Sequence, residues 1–313
     1  MDFSENAGIK VRHRRQPESC PALYDGYLTV DWSAHGKRKR GADSIWIAAC
    51  GWGGFGDPRN PATRAEAMVC IEGLLKSASK AGKRLLCGFD FPFGYPAGTA
   101  RMLTGCDGWE AVWSRIAELV GDGPDNANNR FEAAAKLNAT FAGDGPFWGN
   151  GLKRDISGLP RKKPAGWGEH LPPNRRHAEC EVQRAQEVWK LNGAGSVGGQ
   201  ALTGIAALER LRHRTGAKIW PFETLGEGDT HVLAEIYPSL IEPASGPEVK
   251  DARQVRAMAT ALERLDAQGA LARHLRAPQD LPPTVRTEEA TILGMQDPKS
   301  FQAAARTASI MDG

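Results

Sequence analysis

Short apolar runs that contain a single acid near their end recur along the chain and predict buried strands. They lie at 27–32, 85–90 and 232–238, and turn-forming residues bound each of them. Apolar runs of about four to eight residues between turn formers are typical of strands buried in a sheet. A further apolar run at 44–50 follows the first after a basic turn at 36–41. So short a connection predicts an antiparallel hairpin.

Apolar residues at helical spacing predict helices between these strands. One apolar face over 61–81, ending at Gly82, indicates the first of them. The same pattern predicts further helices over 109–119, 130–137, 199–214, 248–273 and 287–305. A short strand is predicted at 218–220. Helices that alternate with strands in this way indicate an α/β protein with a mixed sheet.

The chain of 313 residues is long enough for one large domain. Its polar, basic start predicts a flexible basic arm over 1–22, followed by a single domain over 23–313. We expect a helical and loop insertion at about 100–215 within that domain. The stretch from 143 to 176, rich in Gly, Pro and Trp, has little periodicity, which is typical of functional or mobile loops.

Asp31, Asp90 and Glu235 are the acids that the predicted strands carry near their ends. An ionised carboxylate in such a place is costly unless another group compensates its charge. A divalent cation with oxygen ligands could compensate all three together, which indicates an enzyme site. The alternative is that Asp31 and Asp90 accept hydrogen bonds from backbone amides at the strand ends or cap a following turn.

Four short motifs are scattered over the range of roughly residues 27–295. They are Val-Asp-Trp-Ser at 30–33, Gly-Phe-Asp-Phe-Pro at 88–92, Glu-Ile-Tyr-Pro at 235–238 and Glu-Glu at 288–289. Together they resemble the RNase H-like superfamily, and more narrowly its uncharacterised predicted-nuclease branch. Those proteins carry an acid on the first strand, an Asp-x-Pro motif on a central strand, a Glu-x-x-Pro strand and a later acid on a helix.

The resemblance implies an RNase H-like mixed sheet flanked by helices, whose acids hold one or two Mg²⁺ or Mn²⁺ ions. It implies a metal-dependent nuclease or related phosphoesterase, with Asp31, Asp90, Glu235 and Glu289 as catalytic residues and metal ligands. Glu288 is the alternative to Glu289 as the ligand from the late helix. This helix lacks the acid-x-x-acid pattern of some resolvase-like members. Such a site uses its cations to activate water and to stabilise the leaving oxygen.

Two other functions remain open for the same core fold. One is a nucleotide-dependent phosphotransferase, although the strand of Asp31 is followed by Trp32-Ser33 and a basic turn rather than a glycine-rich loop. The other is a binding module without catalytic activity.

A glycine-rich segment at 190–200 precedes the helix predicted over 199–214. Small residues before a helix N-terminus suit an anion, because free N–H groups and the helix dipole point towards it. No Gly-Lys-Ser/Thr closes the segment, so it is not a P-loop. A flexible loop that starts a helix is the alternative. Lys190, Ser196 and Gln200 are the candidates for contact with a phosphate or substrate.

A second helix start contributes one more candidate. Lys250 is the fourth predicted substrate-binding residue, whereas its neighbour Asp251 is expected to favour the helix start by capping or by its charge.

Basic residues cluster between 151 and 176, close to Trp148 and Trp167. They are Lys153, Arg154, Arg161, Lys162, Lys163, Arg175 and Arg176. Cations with interspersed aromatic residues can follow a nucleic-acid backbone and stack on bases. The predicted partner is therefore nucleic acid or a small phosphorylated molecule, and the alternative is a solvated loop.

Composition narrows the classes further. The chain has 41% hydrophobic residues and a net charge of +3, which is ordinary for a soluble protein. Its six cysteines form no CxxC pair, so neither a zinc site nor a disulfide framework is expected. No run approaches the roughly 20 apolar residues of a membrane span, and the N-terminus lacks a signal-peptide core. We therefore expect a cytoplasmic protein without a membrane partner.

Overall fold

A five-stranded mixed sheet lies at the centre of the fold. The computed structural model describes residues 21–168, 170–226, 228–276 and 280–306, so nearly all of the predicted basic arm lies outside the described residues. The strands are β1 (Gly26–Asp31), β2 (Trp46–Gly51), β3 (Leu85–Asp90), β4 (Lys218–Trp220) and β5 (His231–Glu235).

The order of the strands across the sheet is β2-β1-β3-β5-β4. β1 and β2 form the predicted antiparallel hairpin. β1 pairs with β3, β3 with β5 and β5 with β4 in parallel. The carboxyl ends of β1, β3 and β5 therefore meet at one edge of the sheet.

Helices cover both faces of this sheet, which confirms the α/β class. They are α1 (Arg64–Lys80), α2 (Thr99–Thr104), α3 (Trp109–Leu119), α4 (Arg130–Asn138), α5 (His177–Glu181), α6 (Gly198–Thr215), α7 (Lys250–Ala267), α8 (Leu271–Leu275) and α9 (Pro298–Arg306). One face, with Val30, Phe89 and Leu233, packs in the same apolar core as α1, α3 and α6. The other face packs against α7 and α9, through Tyr27 and Leu86.

The segment predicted as an insertion supplies part of this core. α3 and α6 pack against each other, and their Trp113 and Leu202 belong to the same cluster as Val30 of β1. Sequence periodicity missed the short helices α2 and α5, which are too brief to show a repeated apolar face.

Two predicted helices differ from the structure near the C-terminus. The helix expected over 248–273 divides into α7 and α8, because Gly269 adopts a left-handed backbone with φ of 67°. The helix expected over 287–305 is wrong as one element. A single π-helical turn at Val285–Glu289 ends at Ala290, whose φ is 60°, and α9 starts only at Pro298. Proline suits that first helical position because its backbone N–H is not needed there.

Within the described part of the chain, none of the helices combines the length and apolar character that a membrane span requires.

Candidate acidic site at the ends of β1 and β3

Asp31 and Asp90 are the closing residues of two neighbouring strands. They are paired in register, and both side chains are half-buried. Neighbouring strands lie about 4.8 Å apart, and paired residues project to the same face of a sheet. The two carboxylates therefore stand side by side at the carboxyl edge, on the face covered by α7.

In the described part of the chain, neither of these carboxylates has a hydrogen-bonding or ion-pair partner. Among the described residues, no donor gives a hydrogen bond to Asp31 or Asp90, and neither acid forms an ion pair. The alternative, in which the two acids accept hydrogen bonds from backbone amides or cap a following turn, is therefore not seen among the described residues. Burial, together with the charges of Asp90, Asp251 and Asp43, holds the pKa of Asp31 well above its ordinary value of 3.8. Burial, with the charges of Glu235 and Asp251, raises the pKa of Asp90 to about 7.

Helix α7 brings a third acid to this pair. Cys50 is paired with Tyr27 in the hairpin, and its thiol donates a hydrogen bond to the backbone carbonyl of Ala259 in α7. Two residues further along β1, the Thr29 hydroxyl donates to the carbonyl of Val255 at 2.7 Å. α7 thus runs antiparallel to β1.

The same geometry fixes the level of Asp251. From Thr29 to Asp31 the strand advances by about 6.7 Å, and from Val255 back to Asp251 the helix retreats by about 6 Å. Asp251 therefore reaches the level of Asp31, which agrees with its effect on the pKa values of Asp31 and Asp90.

Capping was one of the two roles expected for Asp251, but its side chain does not cap α7. One carboxylate oxygen instead accepts a hydrogen bond from the backbone N–H of Asp43 at 2.8 Å, so it holds the end of the hairpin turn against the helix. Its place in the first turn still favours the helix start electrostatically. Sequence reasoning missed Asp251 as a site residue, although one signal was available. Asp251 continues the buried stripe of Val255, Met258 and Leu262 at helical spacing.

Glu235 lies at the same sheet edge, where its charge contributes to the raised pKa of Asp90, but its side chain does not point to the side of the sheet that carries Asp31 and Asp90. It is paired with Phe89, so it projects to the face opposite Asp90. Its carboxylate oxygens accept hydrogen bonds from Arg176 at 2.7 and 2.8 Å and from the Phe93 N–H at 2.9 Å. Arg176 also donates to Glu179 at 2.6 Å. Glu235 is therefore a partner of a buried arginine rather than a free metal ligand.

Glu288 and Glu289 are likewise occupied within the protein. Glu289 accepts hydrogen bonds from the His177 N–H at 2.6 Å and from the Thr284 hydroxyl at 2.8 Å. Glu288 accepts from the Gly98 N–H at 2.8 Å and from the N–H of Ala100 at the start of α2. Both glutamates tie the π-helical turn to its neighbours, and the structure brings neither of them to the unpartnered pair.

The close packing of this turn explains a glycine in the loop after β3. A Cβ atom at Gly94 would lie 2.3 Å from the backbone oxygen of Glu288, which leaves no room for any other residue. The segment that follows Asp90 is therefore braced directly against the π-helical turn.

The loop after Asp31 is held by a buried arginine that sequence reasoning also missed. Arg64, at the start of α1, donates to the carbonyls of Ser33 and His35, each at 2.9 Å. Its charge is balanced by Asp122 through two hydrogen bonds of 2.6 Å. Arg64 therefore fixes the direction in which the chain leaves β1.

The four predicted substrate-binding residues have different surroundings. Gln200 donates to the carbonyl of Trp32 at 3.2 Å, which places the start of α6 beside the end of β1. Lys190 is engaged within its own loop, where its amine donates to the Ala194 carbonyl at 2.5 Å. Ser196 is half-buried in that loop, and Lys250 is exposed one residue before Asp251. Gln200 and Lys250 are thus the two that lie beside residues adjoining the acids.

Four of the seven basic residues at 151–176 form ion pairs with acids of the protein. Three of these pairs join Arg154 to Glu132, Arg161 to Asp155 and Lys163 to Glu187. Arg176 is only 1% exposed and belongs to the core. Lys153, Lys162 and Arg175 have no ion pair among the described residues. The positive charge that is free for a phosphate backbone is therefore smaller than the sequence indicates.

The unpartnered pair fits a divalent cation with a small number of protein ligands. Mg²⁺ is commonly held by one or two carboxylates together with waters and substrate phosphates. Across residues 21–168, 170–226, 228–276 and 280–306, no three Asp, Glu, His or Cys side chains are arranged to hold a metal ion. A cation at this pair would therefore need water or a bound phosphate to complete its ligands.

The raised pKa of Asp90 predicts a pH dependence of stability in the metal-free protein. Its pKa is about 7 in the folded state and near 3.8 when unfolded, so between these values the folded state binds more protons. The free energy of unfolding contributed by Asp90 therefore falls as the pH rises through this window. We expect the Asp90→Asn variant to lack this pH-dependent contribution to the free energy of unfolding.

Thermal unfolding of wild type and of Asp90→Asn in EDTA, from pH 4 to 8, measures this contribution. The melting temperature of the variant, relative to wild type, should rise with pH. Parallel curves for the two proteins would contradict the raised pKa.

Comparison of the chain with protein-family models, with curated proteins and with solved structures finds no match.

Proposed function

We propose that this protein is a metal-dependent phosphoesterase, of the nuclease kind that the RNase H-like resemblance implies. One observation carries the proposal. Asp31 and Asp90 stand side by side at the carboxyl ends of two parallel strands, and neither has a partner among the described residues. Two adjacent carboxylates kept without donors or cations are costly, and a bound divalent cation would remove that cost.

The arrangement of the other elements supports the resemblance with one change. The first strand carries Asp31, and a central strand carries Asp90 in an Asp-x-Pro motif. The later acid on a helix is better matched by Asp251 than by Glu288 or Glu289, because Asp251 affects the pKa values of both strand acids. Glu235 retains a structural role through Arg176.

In this proposal Asp31 and Asp90 hold Mg²⁺ or Mn²⁺, and Asp251 adds negative charge close to it. When bound, the ion supplies Lewis-acid stabilisation of the phosphoryl oxygens and activates the attacking water. Arg64 keeps the chain after Asp31 in place, and the π-helical turn keeps the chain after Asp90 in place. The site therefore rests on braced elements, as a preorganised site requires.

A phosphotransferase remains the second candidate because of one contact. The glycine-rich segment at 193–199 lies against the chain after β1, since a Cβ atom at Gly199 would be 3.3 Å from that of Ala34. The start of α6 is thus beside the acids, where its N–H groups could receive a nucleotide phosphate.

A cleavage assay tests the proposal. Wild type should cleave single-stranded DNA, RNA or bis(p-nitrophenyl) phosphate with Mn²⁺ or Mg²⁺, and EDTA should stop the reaction. The Asp31→Asn, Asp90→Asn double variant should lose activity by a factor of about 10³ or more, since it removes both proposed ligands. ATP-dependent phosphate transfer without cleavage would favour the second candidate. Activity that survives in the double variant would refute the site.

A further inference from the structure

A cavity lies at the far edge of the sheet, beside strand β4. Its volume is about 640 Å³, within the range of small-molecule sites. Its walls come from the chain before β1, the end of β4, the end of α8 and the π-helical turn. None of the three site acids lines it.

The floor of this cavity is aromatic. Tyr24, Trp220 and Phe222 all line it. Trp220 is fixed by its indole N–H, which donates to the Leu275 carbonyl at 2.8 Å. Phe222 stacks on Trp109 with a ring distance of 4.9 Å and an angle of 7°. Tyr24 and Trp220 are only 4% and 3% exposed, so the half-buried Phe222 is the ring that offers surface to a planar ligand. Its position is fixed before any ligand arrives, which keeps the ordering cost of stacking small.

The rim of the cavity is positively charged. Arg84, Arg276 and Arg286 line it, against a single acid, Glu223. Glu223 is already neutralised by Lys218 at 3.0 Å. Arg276 and Arg286 are exposed and have no ion pair among the described residues. Such guanidinium groups suit a phosphate, whose oxygens can accept two parallel hydrogen bonds.

We propose that this cavity binds a nucleotide, with the base on the aromatic floor and the phosphate at Arg276 and Arg286. Aromatic surface and unpaired arginines occur together here, and a ligand that joins a planar ring to an anion satisfies both. The ligand could be a free mononucleotide or one nucleotide of a single strand, since both present the same chemistry. The proposal goes beyond the acidic site and does not rest on its activity.

Isothermal titration calorimetry in EDTA tests the proposal, with AMP and a short single-stranded oligonucleotide as the probes. The Arg276→Ser, Arg286→Ser double variant should bind its ligand at least about tenfold more weakly than wild type. Arg273→Ser is the matched control, because Arg273 is an exposed arginine of α8 that pairs with Asp297 and does not line the cavity. It should bind as wild type does.

The other arms separate the outcomes. AMP bound more tightly than the oligonucleotide identifies a free nucleotide as the ligand, and the reverse identifies a strand. Adenosine or inorganic phosphate that binds as well as AMP would overturn the proposal, as would no binding of either probe. The Asp31→Asn, Asp90→Asn variant should bind unchanged, so failure of the acidic site leaves this result intact.

Discussion

Asp31→Asn is expected to abolish the binding of Mg²⁺ or Mn²⁺ while the protein remains folded. The substitution keeps the size of the side chain and removes one of two adjacent carboxylates. An amide oxygen is a weaker ligand for a hard cation, and we expect the affinity to fall by more than about a hundredfold. Removing one charge also relieves repulsion with Asp90, so in EDTA the variant should melt at a higher temperature than wild type.

Titration calorimetry with MnCl₂ measures the first effect, and thermal unfolding in EDTA measures the second. Asp43→Asn is the matched control, because Asp43 is an exposed acid whose charge also affects the pKa of Asp31. It should change the affinity only slightly, since exposed charges are screened. Equal losses in the two variants would mean that general negative charge, rather than coordination by Asp31, attracts the cation.

Arg176→Met is expected to destabilise the protein strongly. Arg176 is 1% exposed and lies between Glu235 and Glu179, each of which is 3% exposed. Methionine fills a similar volume but leaves two carboxylates buried without a cation. Removing one partner of a buried ion pair lowers the free energy of unfolding by about 3–5 kcal/mol. Unfolding by urea should show a loss of this size in the free energy of unfolding.

Two further variants show whether the cost arises from buried charge. Arg161→Met removes an exposed arginine paired with Asp155 and should cost less than about 1 kcal/mol. Adding Glu179→Gln and Glu235→Gln to Arg176→Met removes the unpaired charges and should recover part of the stability. No recovery in this triple variant would indicate that packing of the arginine side chain, and not its charge, stabilises the core.

The sheet could be predicted from sequence because its strands are buried and apolar. The hairpin, β3 and β5 follow directly from runs whose composition leaves few alternatives. The C-terminal region could not be predicted in the same way. Residues 287–305 contain enough apolar positions for a helix, but Ala290 and Gly294 take left-handed conformations that only the packing around them requires.

The candidate site divides in a similar way. Asp31 and Asp90 could be found because each closes an apolar run. Glu235 closes one as well, and sequence alone cannot show that Arg176, far away along the chain, neutralises it. For Asp251, a local role at the helix start already accounts for an acid at that position, so the sequence does not point to the site. Its place beside the strand acids depends on the direction in which α7 crosses β1.

The strand order has a consequence for how the protein folds. β3 and β5 are neighbours in the sheet, yet residues 91–230 separate them in sequence. The entropy lost in closing a loop rises only slowly with its length, so the separation costs little stability. Long-range parallel pairing is nevertheless slow, because the chain loses entropy in closing the loop before the contacts between the strands stabilise it. We therefore expect slow refolding, in which the hairpin of β1 and β2 forms early and β5 pairs with β3 last.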